Sequence, residues 1–320
     1  MASPAAAVPV LAVGSVAFDS IRTPWGAADR VLGGSATYFS LAASQFAPVR
    51  VVGVVGEDFG PEHEAVFRQR QVNIEGIERA PGRSFYWAGE YEADPNIRHT
   101  LTTELNVFAA FSPKLPAAYR DSPVLFLGNI EPGLQIQVRE ECSAAKLVGG
   151  DTMNFWINSQ PDQVRAFLGR LDLLMINDGE ARELTGEANL HRAARRILEL
   201  GPRAVVIKRG EHGASLYTAG GGYFAISGYP LEDVCDPTGA GDSFAGGMMG
   251  YLAQHRPHGL HREPDAADQN VLRRAVVYGS VMGSFACERF GVERLRTLTS
   301  AAVQRRYEEF QALAHFDRQP

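Results

Sequence analysis

"CDPTGAGDSFAGG", residues 235 to 247, carries the reading of this chain. Gly239, Gly241, Gly246 and Gly247 lie in or just ahead of a run, "SFAGGMMGYLAQ", that otherwise looks helical. Glycine costs a helix about 1 kcal/mol relative to alanine, so turn geometry, close packing or a ligand must offset it. Amides of Gly239, Ala240 and Gly241 at a helix start would converge on one spot, where the helix dipole adds roughly half a positive charge. Asp242 beside that anion hole is poorly placed to bind an anion. It is well placed to take the proton from a hydroxyl attacking a phosphoryl group. A packing turn with Asp242 capping the helix is the plainer alternative.

The surrounding chain narrows the choice. It has 320 residues, a 45% hydrophobic share, a 21% charged share and a net charge of -6, which bounds a globular chain with a large core. Without a basic stripe, nucleic acid is not the expected partner. Cys142, Cys235 and Cys287 are scattered and odd in number, so no disulfide framework or paired-cysteine metal site is indicated, and a reducing cytoplasm fits. The opening residues lack a basic segment and read as a tail plus a first strand, and no apolar run reaches the roughly 20 residues that span a bilayer. No membrane role is expected.

Short β-branched runs, "VLAVGS", "VRVVGVVG", "PVLFLGNI", "AKLVGGD", "LDLLMIND" and "AVVIKRG", recur between helical patterns such as "NLHRAARRILEL". This predicts an α/β fold with a mostly parallel sheet. Two stretches break the rhythm. Residues 83–108 alternate aromatic or β-branched with polar residues around "ADPN", and residues 17–32 could add a second pair of strands. Together they predict a small β-sheet lid over the edge where open α/β sheets bind ligands. A plain surface hairpin is the alternative.

Two common phosphate motifs are absent. None of Lys114, Lys146 and Lys208 follows glycine, which a P-loop requires, and Phe244 stands where a dinucleotide fingerprint needs its third glycine. What remains resembles the C-terminal signature of the ribokinase family, also called the PfkB carbohydrate kinases. "LGGSATYFSLAAS" (32–44) resembles that family's Gly-Gly signature, "INDGEARELTG" (176–186) its Asn-x-x-Glu element, and "VIKRGEHGA" (206–214) its Lys-x-Gly strand end. Four elements in the expected order, spread over nearly the whole chain, identify it as a member.

The resemblance implies a single ribokinase-like domain over 1–320: a three-layer sandwich with a lid from about 17–32 and 83–108. It also implies an ATP-dependent kinase of a sugar or ribose-containing alcohol. Asp242 would be the general base and Gly239, Ala240 and Gly241 would stabilise the phosphoryl group. Asp19, Gly33 and Gly34, with Asn129 and Glu131, would bind the acceptor. Asn177, Glu180, Lys208, Gly210 and Thr238 would face the nucleotide, Asn177 and Glu180 organising Mg2+ through water. "DTMNFW" (151–156) falls at another strand end facing phosphates or acceptor. Some relatives bind a cation such as K+; Asp236, Thr238 and "ACERFGVE" could supply its ligands. The lid is a candidate dimer surface.

One departure matters for the acceptor. Ser35-Ala36-Thr37-Tyr38-Phe39 lacks the asparagine that many sugar kinases carry after the glycines. Tyr38, Phe39, Trp25, Phe155 and Trp156 are then candidates either for ordinary packing or for stacking on a nucleoside base. His255, His258 and His261 read as a solvated loop, since Pro257 and Gly259 break any helix that would align them on a metal. A silent ligand-binding protein on the same fold is the reading from another class; the retained Asp242 speaks against it.

Overall fold

The computed structural model describes residues 7–315, so the expected N-terminal tail at 1–6 lies outside the described residues. The strands in chain order are β1 (Val10–Val13), β2 (Ala17–Thr23), β3 (Gly26–Gly33), β4 (Val49–Val55), β5 (Asn73–Arg79), β6 (Phe85–Tyr91) and β7 (Arg98–Glu104). They continue as β8 (Val124–Leu127), β9 (Leu147–Gly150), β10 (Leu173–Asn177), β11 (Ala204–Lys208), β12 (Ala214–Thr218) and β13 (Tyr223–Ile226). Nine form a central sheet in the order β13-β12-β11-β10-β9-β8-β1-β4-β5. It is parallel from β5 to β11, and β12 and β13 add an antiparallel edge.

The inner strands of this sheet alternate their side chains between two cores. Val10 and Ala12 of β1, Val124 and Phe126 of β8, and Val206 of β11 enter one core, which the helices Ser35–Ala43, Ala240–His255 and Ala266–Ala286 cover. Leu11, Val13, Leu125, Leu127, Val205 and Ile207 enter the other, beneath the helices Pro132–Glu141, Pro161–Leu168 and Leu190–Glu199. Both faces are covered, which is why these strands read as continuous apolar runs. Each fully buried Val, Leu or Ile contributes about 1.5–3 kcal/mol.

This is the three-layer sandwich with a mostly parallel central sheet that the sequence leads one to expect. A second sheet of four strands, β3-β2-β6-β7, stands apart from the first. Two antiparallel hairpins, β2–β3 and β6–β7, are joined through a parallel β2–β6 pairing, a long-range contact that neither hairpin signals in sequence. Among the described residues no helix is long and apolar enough to cross a membrane.

Gly246 and Gly247 serve packing. A Cβ on Gly246 would fall 2.3 Å from the Phe39 carbonyl oxygen, and one on Gly247 2.6 Å from Met282 Cγ. Their absence lets the helix Ala240–His255 press against Ser35–Ala43 on one side and Ala266–Ala286 on the other. The close fit fixes where the preceding turn points.

Candidate active site

The turn before the helix Ala240–His255 is built for one backbone path. Gly239 is its N-cap, in the left-handed region at φ 72°, and Asp242 falls in its first turn. Asp242 is therefore not the cap, contrary to the plainer sequence alternative. Asp236 fixes the entry: Oδ1 accepts the Thr238 amide at 2.8 Å and Oδ2 the Gly291 amide at 2.9 Å. Thus the Asp-Pro turn and the segment after the helix Ala266–Ala286 are held as one unit. Burial pushes the Asp236 carboxyl up to about 6, against the pull of those amides.

Three adjacent strands, β9, β10 and β11, bring polar residues to their C-terminal ends. Asp151 follows β9, Asn177 closes β10 and Lys208 closes β11. Lys208 Nζ lies 3.1 Å from Asp151 Oδ2, and 3.1 Å from where a Cβ on Gly241 would stand. The ammonium thus rests against the glycine turn. Asn177 and Glu180 form a reciprocal helix cap: Asn177 Oδ1 accepts the Glu180 amide at 2.8 Å, and Glu180 Oε2 accepts the Asn177 amide at 3.0 Å. Burial, and next the charge of Asp151, push Glu180 up to about 7, with Lys208 opposing. The same two causes push Asp242 up to about 7. Burial opposes the Lys208 charge, but Asp151, Glu180 and Asp242 outweigh it and its pKa is raised.

The other half of the site hangs from the small sheet. Asp19, on β2, is buried and leans across Gly33, where a Cβ would fall 1.9 Å from its Oδ2. Gly34 adopts φ +92°, and a Cβ there would meet the Ser15 carbonyl oxygen at 2.5 Å. Only glycine fits at 34, and any side chain at 33 would displace the Asp19 carboxylate. Burial, then the charges of Asp236 and Asp242, push Asp19 up to about 8, while the Gly34 amide pulls the other way. The sheet is tied to the glycine-turn side at three points. Thr23 Oγ1 donates to the Cys235 carbonyl at 3.0 Å, the Tyr91 and Thr238 hydroxyls stand 3.1 Å apart, and Asn96 Nδ2 donates to Glu211 Oε2 at 2.7 Å. Gly210, at φ +53°, would carry a Cβ 2.1 Å from Asn96 Oδ1.

Not every residue singled out in the sequence joins this cluster. Glu131 caps the helix Pro132–Glu141 through the Leu134 amide, and the Asn129 carbonyl accepts Trp156 Nε1 at 3.1 Å. Neither side chain bonds to Asp19 or Asp242 among the described residues. Of the candidate aromatics, Phe39 is core, stacked on Phe126 at 4.1 Å, whereas Trp25 and Phe155 are 47% and 59% exposed. Tyr38 is 1% exposed, and its hydroxyl has no hydrogen-bond partner. Trp87 escaped the sequence reading; its strand alternation was visible, but which face meets Asp19 depends on the β2–β6 pairing. His255 stacks on Tyr251 at 4.0 Å, while His261 Nδ1 pairs with Asp268 Oδ2 at 2.8 Å. Asp265, His261 and Asp268 gather closely enough to hold an ion, yet Asp265 caps a helix and Asp268 also binds Arg256 Nε at 2.7 Å.

With this geometry in hand, comparison with known proteins is specific. A cytidine kinase of Thermococcus kodakarensis is 26% identical over 252 residues, 78% of this chain and 90% of that protein. Among solved structures, a putative ribokinase II of E. coli in complex with ATP and Mg2+ matches with a TM-score of 0.76 at 20% identity, covering 94% of this chain and 99% of that one. The nucleoside kinase of Burkholderia thailandensis in complex with inosine matches at 0.73 and 22% identity, over 95% and 99%. The sequence model of the pfkB family carbohydrate kinases matches residues 26–297, and the chain belongs to that family.

Proposed function

We propose that this pfkB-family kinase transfers the γ-phosphoryl group of ATP to a primary hydroxyl of a sugar or ribonucleoside by in-line attack, with Asp242 as general base. The observation that carries the reading is the placement of Asp242 in the first turn after Gly239, its carboxyl pushed up to about 7. A base tuned to that range is about half ionised at neutral pH and basic enough to accept an alcohol proton. The amides of Gly239, Ala240 and Gly241 would face charge developing on the phosphoryl group, where one well-placed donor contributes about 3 kcal/mol. Lys208, against Gly241, adds a fixed positive charge on the same side. Asp19, Gly33 and Gly34 bind the acceptor hydroxyls, and Asn129 and Glu131, on the turn after β8, are further candidates. Gly210 and Thr238 face the nucleotide.

Magnesium fits the carboxylates gathered here: Glu180 is pushed up partly by Asp151, a repulsion that a divalent cation would relieve. Asn177 and Glu180 would hold it through water, and the ion, when bound, neutralises phosphate charge. A cation such as K+ would draw its ligands from Asp236, Thr238 and residues 286–293, where the Asp236 carboxylate already holds the Thr238 and Gly291 amides together. The small sheet acts as a lid whose ties at Thr238 and Glu211 shield the reaction from water. The exposed outer strands β3 and β7 are its surface for pairing with a second copy. Three free cysteines are consistent with a cytoplasmic setting.

A ribonucleoside acceptor is the second reading, favoured by the aromatic residues of the small sheet. The test is ADP release with ATP and Mg2+ over pentoses, hexoses and nucleosides, with Asp242→Asn as control. Turnover with one acceptor class and a loss of about 100-fold or more in the variant supports the proposal. No turnover on any acceptor would favour a silent binding protein.

A further inference from the structure

Trp87 stands beside the acceptor aspartate. In the parallel pairing of β2 with β6, Ala17 lies opposite Phe85, Asp19 opposite Trp87 and Ile21 opposite Gly89. Residues paired in this way project from the same face of a sheet, on strands about 4.8 Å apart. That face is the one turned to the phosphate turn, since Tyr91, four residues further along β6, reaches Thr238 from it. Asp19 and Trp87 are therefore neighbours looking into one space.

The indole is seated rather than buried. It lies along its own strand over Gly89, where a Cβ would fall 2.1 Å from Cη2 and 2.3 Å from Cζ2. Any other residue at 89 would lift the ring. Nε1 donates to Thr100 Oγ1 at 3.4 Å, and the Arg98 guanidinium carbon is 5.5 Å from the ring centroid. Trp87 belongs to neither hydrophobic core cluster, so core packing does not account for a large aromatic ring held flat at this spot.

We infer that Trp87 is a stacking platform for the planar base of the acceptor, which makes the acceptor a free ribonucleoside. This rests on the acceptor site proposed above and narrows its substrate class. Asp19 takes the ribose hydroxyls while the base lies on the indole, and the primary hydroxyl points towards Asp242. A free sugar has no planar group to use the platform. An acceptor that already carries phosphate is disfavoured by Asp19, Asp236, Asp242, Asp151 and Glu180, which outnumber Lys208 and Arg98, the cations set against them.

The test uses the full chain and two readouts. Cytidine and inosine are titrated against tryptophan fluorescence without ATP, and steady-state rates are measured with those nucleosides and with ribose. Wild type is compared with Trp87→Leu and Trp87→Phe, with Trp25→Phe as fluorescence control. Base stacking contributes about 1–3 kcal/mol, so Trp87→Leu should weaken nucleoside affinity roughly 5- to 150-fold. Trp87→Phe should keep most of it, and the KM values for ribose and ATP should stay within about twofold of wild type. An equal loss for ribose and nucleosides, or no loss in Trp87→Leu, overturns the inference. Turnover of sugars without binding of nucleosides overturns it and leaves the kinase proposal standing. Nucleoside binding that needs Trp87, without phosphoryl transfer, upholds the platform and overturns the transfer reading.

Discussion

The Tyr38 ring lies against the Cα of Gly239: a Cβ on that glycine would stand 2.3 Å from both Cγ and Cδ2 of the ring. Tyr38 belongs to the helix that follows the Gly-Gly pair, and Gly239 opens the helix that carries Asp242. Two segments some two hundred residues apart thus share one space, and the position of Asp242, the proposed base, is set by an aromatic ring from the helix after the Gly-Gly pair.

Gly239→Ala should therefore fail in two ways. A side chain at φ 72° is strained, and its Cβ would have to displace a ring that is 1% exposed. Overpacking of this kind costs about 1–3 kcal/mol. The expected result is a lower unfolding midpoint together with a kcat loss of about 100-fold, the scale of losing one oxyanion-type donor. Tyr38→Phe is the complement: the hydroxyl it removes has no partner, so thermal stability should be unchanged or slightly higher.

The pH profile follows from Asp242. As the proposed base Asp242 would act only when ionised, and its carboxyl is pushed up to about 7 by burial and by Asp151. The rate with saturating ATP and low acceptor should fall as pH drops through about 7 and level off above it. Asp242→Asn should lose that limb of the profile as well as about 100-fold or more in rate. A variant that kept the limb would assign the titration to another group.

Asp19 links the same chemistry to stability. Its carboxyl, ordinarily near 3.8, is pushed up to about 8 in the folded chain. Between those values the folded state binds more protons than the unfolded one, so this group lowers stability as pH rises from about 4 to 8. Above that range the cost is constant. Asp19→Asn should raise the melting temperature at pH 8 by roughly 2 °C or more and have little effect at pH 4. It should also weaken acceptor binding, which separates its two roles.

Much of this was legible in the sequence because the relevant signals are local. β1, β4, β8, β9, β10 and β11 each announce themselves as apolar runs, and the glycine turn before Asp242 is contiguous. β5, β12 and β13 did not, since β5 is half exposed and the other two form an antiparallel edge after the parallel rhythm ends. The cap formed by Asn177 and Glu180 could be read from their spacing. The Lys208–Asp151 pair could not, because it needs β9 and β11 to end on either side of β10. Trp87 was hidden for the same reason: its partner Asp19 is set by a parallel pairing between two distant hairpins.

That pair yields the sharpest double-variant test. Lys208 and Asp151 have side chains only 16% and 10% exposed, 3.1 Å apart, so each relieves the cost of burying the other. Lys208→Met removes the cation and leaves Asp151 facing Glu180 and Asp242, the groups whose charges it already opposes. Breaking a buried pair from one side costs about 3–5 kcal/mol, much of it from the stranded charge. Adding Asp151→Asn removes that charge and should restore most of the stability in chemical denaturation. Activity should not return, because the double variant still lacks the ammonium beside Gly241. If the double variant were no more stable than Lys208→Met, lost packing around the lysine stem would be the cause. Recovery of stability without rate, with Asp151→Asn alone retaining activity, would show that the ammonium acts on the phosphoryl group as well as on Asp151.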